Sequence, residues 1–201
     1  FELYPDDFMT EIGLMRSRAL HKGLARTSIK SKSSKAATIV CVKHGSKYGP
    51  EYVNRLASMV RRWSSKTIDF VCLTEDTRGI ESKIVTLPLP EVNSYGQELS
   101  GYWNKLSLFR DEMNGVGSHI LYFDLDVIIT GDIEPLVYYD SDFALAQNFY
   151  APSFSSSVMR LKIGERPHIW RDFNEIEKLK FPGDEDWISI KAPDADVFPP
   201  H

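Results

Sequence analysis

The stretch His119-Ile120-Leu121-Tyr122-Phe123-Asp124-Leu125-Asp126-Val127-Ile128-Ile129 decides how this chain is read. His119 to Phe123 is an apolar run of strand length, as expected for a strand covered on both faces, and Ile128 to Thr130 is expected to continue it. In an extended chain, residues two apart point to the same side. Asp124 and Asp126 are therefore expected to share a face, with Leu125 turned into the core. Two ionised carboxylates held together at a partly buried site repel each other. A divalent cation relieves that repulsion. Hard Mg²⁺ or Mn²⁺ takes one or two carboxylates and completes its shell with water and phosphate oxygens. The competing reading, two surface aspartates at a strand end, fits the apolar flank less well.

Working outward, strands alternate with helices. Thr38 to Val42 reads as a first buried strand. Pro50 suits the first position of a helix whose face is Val53, Leu56, Ala57, Val60 and Trp63. Ile68 to Leu73 and Ile84 to Leu87 read as further strands. Ser100 is positioned to cap a helix carrying Leu106, Phe109 and Met113. Phe143 to Ala146 and Ser157 to Leu161 read as strands, and Ile169 to Ile176 as helix. The alternation predicts an α/β fold with a mainly parallel, Rossmann-like twisted sheet and helices on both faces. Such sheets bind ligands beyond the carboxyl ends of their strands. Chemistry is therefore expected at Lys43-His44, Thr74-Glu75-Asp76 and Asp124-Leu125-Asp126.

Composition narrows the classes. With 201 residues, 42% hydrophobic and 26% charged, the chain can bury a core. Its net charge of −4 argues against sequence-independent nucleic-acid binding. No stretch is long and apolar enough for a membrane helix. Cys41 and Cys72, the two cysteines, lie in apolar runs and read as buried thiols of a reducing, cytoplasmic setting. Residues 1–35 read as an arm. Seven basic and no acidic residues lie between Arg16 and Lys35, a helix is expected over 7–25, and Ser31 to Lys35 reads as a linker. Residues 36–201 form the domain proper.

These segments resemble the GT-A fold glycosyltransferases, and more narrowly the glycogenin-like glycosyltransferases of family eight and their uncharacterised microbial relatives. Asp124-Leu125-Asp126 matches the family's metal motif. Phe154-Ser155-Ser156-Ser157-Val158-Met159 is similar to its Phe-Asn-Ser-Gly-Val-Met segment, and Gly183-Asp184-Glu185-Asp186 to its Asp-Gln-Asp segment. The first strand and the turn with Tyr48 resemble its nucleotide-binding start. The departures are Ser155 for Asn, Ser157 for Gly and Glu185 for Gln. The closing His-x-x-Gly-x-x-Lys-Pro segment is also missing, so the domain is expected to be clipped at its C-terminus.

The resemblance implies transfer of a sugar from a nucleoside diphosphate sugar, with a UDP-sugar expected, to an acceptor hydroxyl on a glycan, protein or lipid. It also implies retention at the anomeric carbon. Asp124 and Asp126 would hold Mn²⁺ or Mg²⁺. Lys105, Asp184 and Asp186 are the candidate catalytic residues: Lys105 toward the diphosphate, the two aspartates toward sugar or acceptor. Donor contacts are expected from Lys43, His44, Tyr48, Glu75, Asp76, Asp124, Leu125, Asn148, Ser156 and Ser157. Bland alternatives stand beside several of these. Lys43-His44 also reads as a polar strand edge, Lys105 as a solvated helical lysine, Asn148 as a turn residue and Asp184 as a helix cap. Two other functions compete. Phe123-Asp124-Leu125-Asp126 also looks like the nucleophile motif of haloacid-dehalogenase-like phosphatases, although that motif opens its domain and continues Gly-Thr. A non-catalytic nucleotide-sugar-binding domain of a larger protein is the other.

Overall fold

Alternation along the central strands builds two cores on one sheet. The computed structural model describes residues 36–148 and 154–199; the expected arm and linker over 1–35, with its helix, lie outside them. Seven strands form the sheet: β1 (Thr38–Lys43), β2 (Phe70–Thr74), β3 (Val85–Leu87), β4 (His119–Phe123), β5 (Phe143–Gln147), β6 (Phe154–Lys162) and β7 (Asp196–Val197). Their order is β3-β2-β1-β4-β6-β5-β7. β6 runs antiparallel to both neighbours and every other pairing is parallel. The expected α/β class and mainly parallel sheet are therefore present.

Ile39, Cys41, Cys72, Leu121 and Phe123 face one layer, where α1 (Pro50–Arg62) supplies Val53, Leu56, Ala57 and Val60. The short α2 (Glu134–Val137) adds Val137. Val40, Val42, Val71, Leu73, Ile120 and Tyr122 face the opposite layer. That layer contains a 3₁₀ helix (Gly101–Phe109), α3 (His168–Arg171) and α5 (Asp184–Lys191). α4 (Glu175–Lys180) buries none of its residues. Cys41 and Cys72 are side by side in the parallel register, free and fully buried; burial and the neighbouring thiol push Cys41 well up.

Several local expectations are corrected. Residues 101–109 form a 3₁₀ rather than an α-helix, and the Ser100 side chain makes no capping bond. Trp103, Leu106 and Phe109 recur every third residue, the 3₁₀ repeat. The Asn104 amide also donates to the Gly101 carbonyl (3.0 Å), and Arg110 Nε to that of Ser107 (3.0 Å). Such local side-chain bonds compete with the α-helical ladder. Met113 is buried beyond the helix end. Trp63, expected on the α1 face, follows the last turn and is 37% exposed. Ile128 to Thr130 does not extend β4: Asp124 accepts from the Val127 N–H (3.2 Å) in a turn, and Ile128 is exposed. The helix expected over Ile169 to Ile176 breaks after α3. Asn174 restarts it as α4 by accepting from the N–H groups of Ile176 and Glu177.

Candidate functional site

The chain runs from β1 outward to β2 and β3, then returns to lay β4 on the other side of β1. Loops therefore diverge beyond the carboxyl ends of β1 and β4, which is where open α/β sheets bind ligands. A cavity of about 370 Å³ opens there. Its walls include His44, Tyr48, Lys105, Asp124, Leu125, Asp126, Ser156, Ser157 and Asp184, all expected from the sequence.

The two motif aspartates reach the cavity by a different route from the one expected. Asp124 directly follows β4, its N–H held by the Ser157 carbonyl at 2.9 Å, and the turn it opens presents Asp126. A turn rather than strand alternation brings them to one cavity. Leu125 is 7% exposed and packs in the α1-side core, as expected, although its side also touches the cavity.

Lys105 lies at the centre of the polar cluster. The buried 3₁₀ helix carries it to within 3.1 Å of Asp124 Oδ1 and 3.2 Å of Oδ2, and 3.0 Å of Asp184 Oδ2. It also donates to Ser156 Oγ (3.0 Å), which donates in turn to Asp184 Oδ2 (2.7 Å). The Tyr122 hydroxyl donates to Asp124 Oδ1. Burial on its own would lower the Lys105 pKa; the Asp184 and Asp124 carboxylates outweigh it and raise it, so the ammonium form persists at neutral pH. Burial, with Asp124 beside it, pushes the Tyr122 phenol well up. At the outer rim the Tyr48 hydroxyl donates to Asp126 Oδ2 (2.7 Å), and that bond raises its pKa. Burial lowers His44 against the opposing pull of Glu75, which leaves it neutral at pH 7.

Other expected residues stand apart from the cavity walls. Lys43 is buried in β1, and alternation turns it away from the side of Val42, which does line the cavity. Glu75 accepts from the Gly45 N–H (2.5 Å). Asp76 is bound by Arg78 through Nε (2.9 Å) and a terminal nitrogen (2.8 Å), which holds its carboxyl far below the usual range. Asn148 directly follows β5 and donates to Glu185 Oε1 (3.2 Å), so it touches a wall residue without being one. Asp184 opens α5 as its first residue, after Gly183 at the cap position, and its carboxylate faces Lys105. Asp186 is buried two residues further on, about 200° around the helix, and does not line the cavity.

Val42, Lys47, Gly101, Tyr102, Tyr122 and Glu185 are walls that the sequence reading did not assign. Tyr122 was open to recognition, lying two residues before Asp124 on an alternating strand. Gly101 and Tyr102 precede Lys105 in a helix whose period was read as α. Gly101 has φ +60°, a left-handed turn that favours glycine, and Tyr102 follows with its hydroxyl donating to the Pro182 carbonyl (2.9 Å).

The walls carry four carboxylates (Asp124, Asp126, Asp184, Glu185) against two ammonium groups (Lys47, Lys105). The excess of negative charge and the all-oxygen donors suit a hard divalent cation. Among the described residues no group of three or more His, Cys, Asp or Glu side chains is placed to hold a metal. A cation at Asp124 and Asp126 would therefore complete its shell with substrate oxygens and water. No helix among the described residues is long and apolar enough to cross a membrane.

No family model and no curated protein matches this sequence. Solved structures do. The glycosyltransferase GlyE of Streptococcus pneumoniae TIGR4 superposes with a TM-score of 0.56 at 14% identity, over 81% of this chain and 46% of that one. The galactosyltransferase LgtC, in complex with donor and acceptor sugar analogues, gives 0.53 at 17% identity, over 75% and 69%. An active-site mutant of LgtC gives 0.55 at 17%, over 80% and 71%. The chain spans about half the length of GlyE. At these identities the likeness concerns the fold: this chain has the GT-A glycosyltransferase fold, a mixed and mostly parallel seven-stranded sheet flanked by helices.

Proposed function

We propose that the protein is a metal-dependent glycosyltransferase that moves a sugar, with a hexose expected, from a nucleoside diphosphate sugar to an acceptor hydroxyl. The observation that carries this reading is the joining of the Asp124–Asp126 turn with Lys105, Ser156 and Asp184 in one cavity at the sheet's switch point. A diphosphate entering a cavity with excess negative charge is repelled unless a cation accompanies it. Asp124 and Asp126 would hold Mn²⁺ or Mg²⁺, which would neutralise charge on the leaving diphosphate. Lys105, paired with Asp184 and Ser156, would add a further buried positive charge on the side of the cavity that the diphosphate faces. Asp184, held by Lys105 and Ser156, is poised to accept from sugar hydroxyls and to stabilise positive charge growing on the anomeric carbon. His44 and Tyr48 form the β1 side of the cavity, where the nucleoside is expected. UDP is the nucleotide expected from the resemblance, and retention the stereochemical course.

Thermal unfolding with UDP, GDP, ADP and their sugars, each with Mn²⁺, Mg²⁺ or EDTA, tests the reading. A ligand at about 100 times its Kd stabilises the fold by about 2.7 kcal/mol. A metal-dependent rise with one nucleotide identifies the donor base, and the anomeric configuration of the product then decides between retention and inversion. A fold indifferent to every nucleotide, together with a phosphoaspartate trapped at Asp124, would replace this reading with phosphatase chemistry.

A further inference from the structure

We propose that Lys105 is a resident counter-ion that competes with the divalent cation for Asp124 and so sets the cation affinity of the site. This rests on the reading of Asp124 and Asp126 as cation ligands. The Lys105 ammonium lies 3.1 Å from one oxygen of Asp124 and 3.2 Å from the other, so it straddles the whole carboxylate. The Tyr122 hydroxyl occupies Oδ1 as well. Asp126, by contrast, is exposed and accepts at Oδ2 from the rim hydroxyl of Tyr48 (2.7 Å). A divalent ion binds carboxylate oxygen at about 2.0–2.1 Å. An ammonium group cannot remain against the same oxygens beside that ion without strong like-charge repulsion.

Lys105 has a second place to go. Asp184 Oδ2 lies 3.0 Å away and Ser156 Oγ also 3.0 Å, so the ammonium can release Asp124 and stay paired inside the fold. Binding of the cation then shifts Lys105 toward Asp184 and couples the two carboxylates. Removing the lysine charge would free Asp124 and tighten cation binding.

The test is titration of the full chain with Mn²⁺ alone, followed by calorimetry and by the paramagnetic resonance of free Mn²⁺. Lys105→Met is expected to bind about tenfold more tightly than wild type. Lys105→Arg, which keeps the charge, is expected to stay within about threefold. Lys47→Met removes the same charge from the cavity wall at a residue that lies over the Tyr48 ring, and is expected to shift affinity by less than about threefold. Equal tightening in Lys47→Met and Lys105→Met overturns the contact in favour of a general charge effect. Wild-type binding with no tightening in Lys105→Met overturns the inference and leaves the cation site intact. Binding of neither Mn²⁺ nor Mg²⁺ by wild type and Lys105→Met removes the cation site itself and the inference with it. Should Lys105→Met fail to fold, carbon resonances of the wild-type chain during Mg²⁺ titration decide. The Lys105 Cε and Asp124 carboxyl signals are expected to move together, and an unmoved Lys105 overturns the proposal.

Discussion

Two strands of the same sheet end in paired acidic residues, and the structure treats them in opposite ways. Glu75 and Asp76 follow β2; Asp124 and Asp126 follow β4. After β2 the charge is satisfied close by. Arg78, two residues on, clamps Asp76, and the Gly45 N–H of the neighbouring loop takes Glu75. After β4 the partners come from far along the chain: Lys105 from the 3₁₀ helix, Ser157 from β6, Tyr48 from the loop after β1, with Asp184 of α5 behind the lysine. The first arrangement is a solvated local ion pair. The second gathers charges of both signs around a cavity and leaves negative charge in excess. A carboxylate at a strand end becomes a site only where other elements close over it.

Substitutions can break this contrast. The largest effect is expected for Asp126→Asn. Metal-dependent transfer from the donor should fall about 1,000-fold or more, an effect of about 4 kcal/mol on the barrier. Transfer at the wild-type rate would remove Asp126 from the site. Next is Lys105→Met, which leaves Asp124 and Asp184 facing each other without their shared cation. Breaking such a buried pair costs about 3 kcal/mol or more, measurable by urea unfolding. On the opposite face, Leu56→Ala opens a hole in the apolar cluster beneath α1. It is expected to cost about 3 kcal/mol while donor affinity stays unchanged, so stability and binding separate by sheet face.

The pH dependence sharpens the comparison further. The Lys105 pKa is raised in the fold above its ordinary 10.5. Its contribution to stability is complete below that ordinary value, because folded and unfolded chains both hold the proton there. It is lost as pH rises through the folded value, since the unfolded chain gives up its proton first. Lys105→Met should lack this alkaline component in urea melts at pH 9 to 12. The smallest effect is expected at the other strand end. Asp76→Asn breaks an exposed pair with Arg78, so donor affinity should stay within about twofold. A large loss there would return Asp76 to the donor site.

Much of the site was legible because its groups lie where local pattern is informative. β4 is an uninterrupted apolar run, so the carboxylates that follow it stood out. Asp184 and Ser156 were legible through family-like segments. Lys43 and Asp186 lie off the cavity walls for a geometric reason. Each sits one or two residues from a true wall residue, Val42 or Asp184, and strand alternation or helical rotation turns it elsewhere. Lys105 was legible as a candidate, but its burial was not, because a short 3₁₀ helix packed on nearly all sides has no amphipathic face to read.

The sequence by itself determined the strand–helix alternation, the two-faced apolar pattern of the central strands and the acidic turn after β4. Those depend on side chains a few residues apart, and local sterics and hydrophobic period set them. Only the tertiary structure decided that β4 returns beside β1, that Lys105 is buried between Asp124 and Asp184, and that the Gly45 N–H meets Glu75. Those pairings join residues up to 82 positions apart, as Thr38 of β1 and Ile120 of β4 show (120 − 38), and 79 apart for Lys105 and Asp184 (184 − 105). Their energies depend on burial and on the neighbouring charges, and both arise only once the sheet and its two layers have assembled.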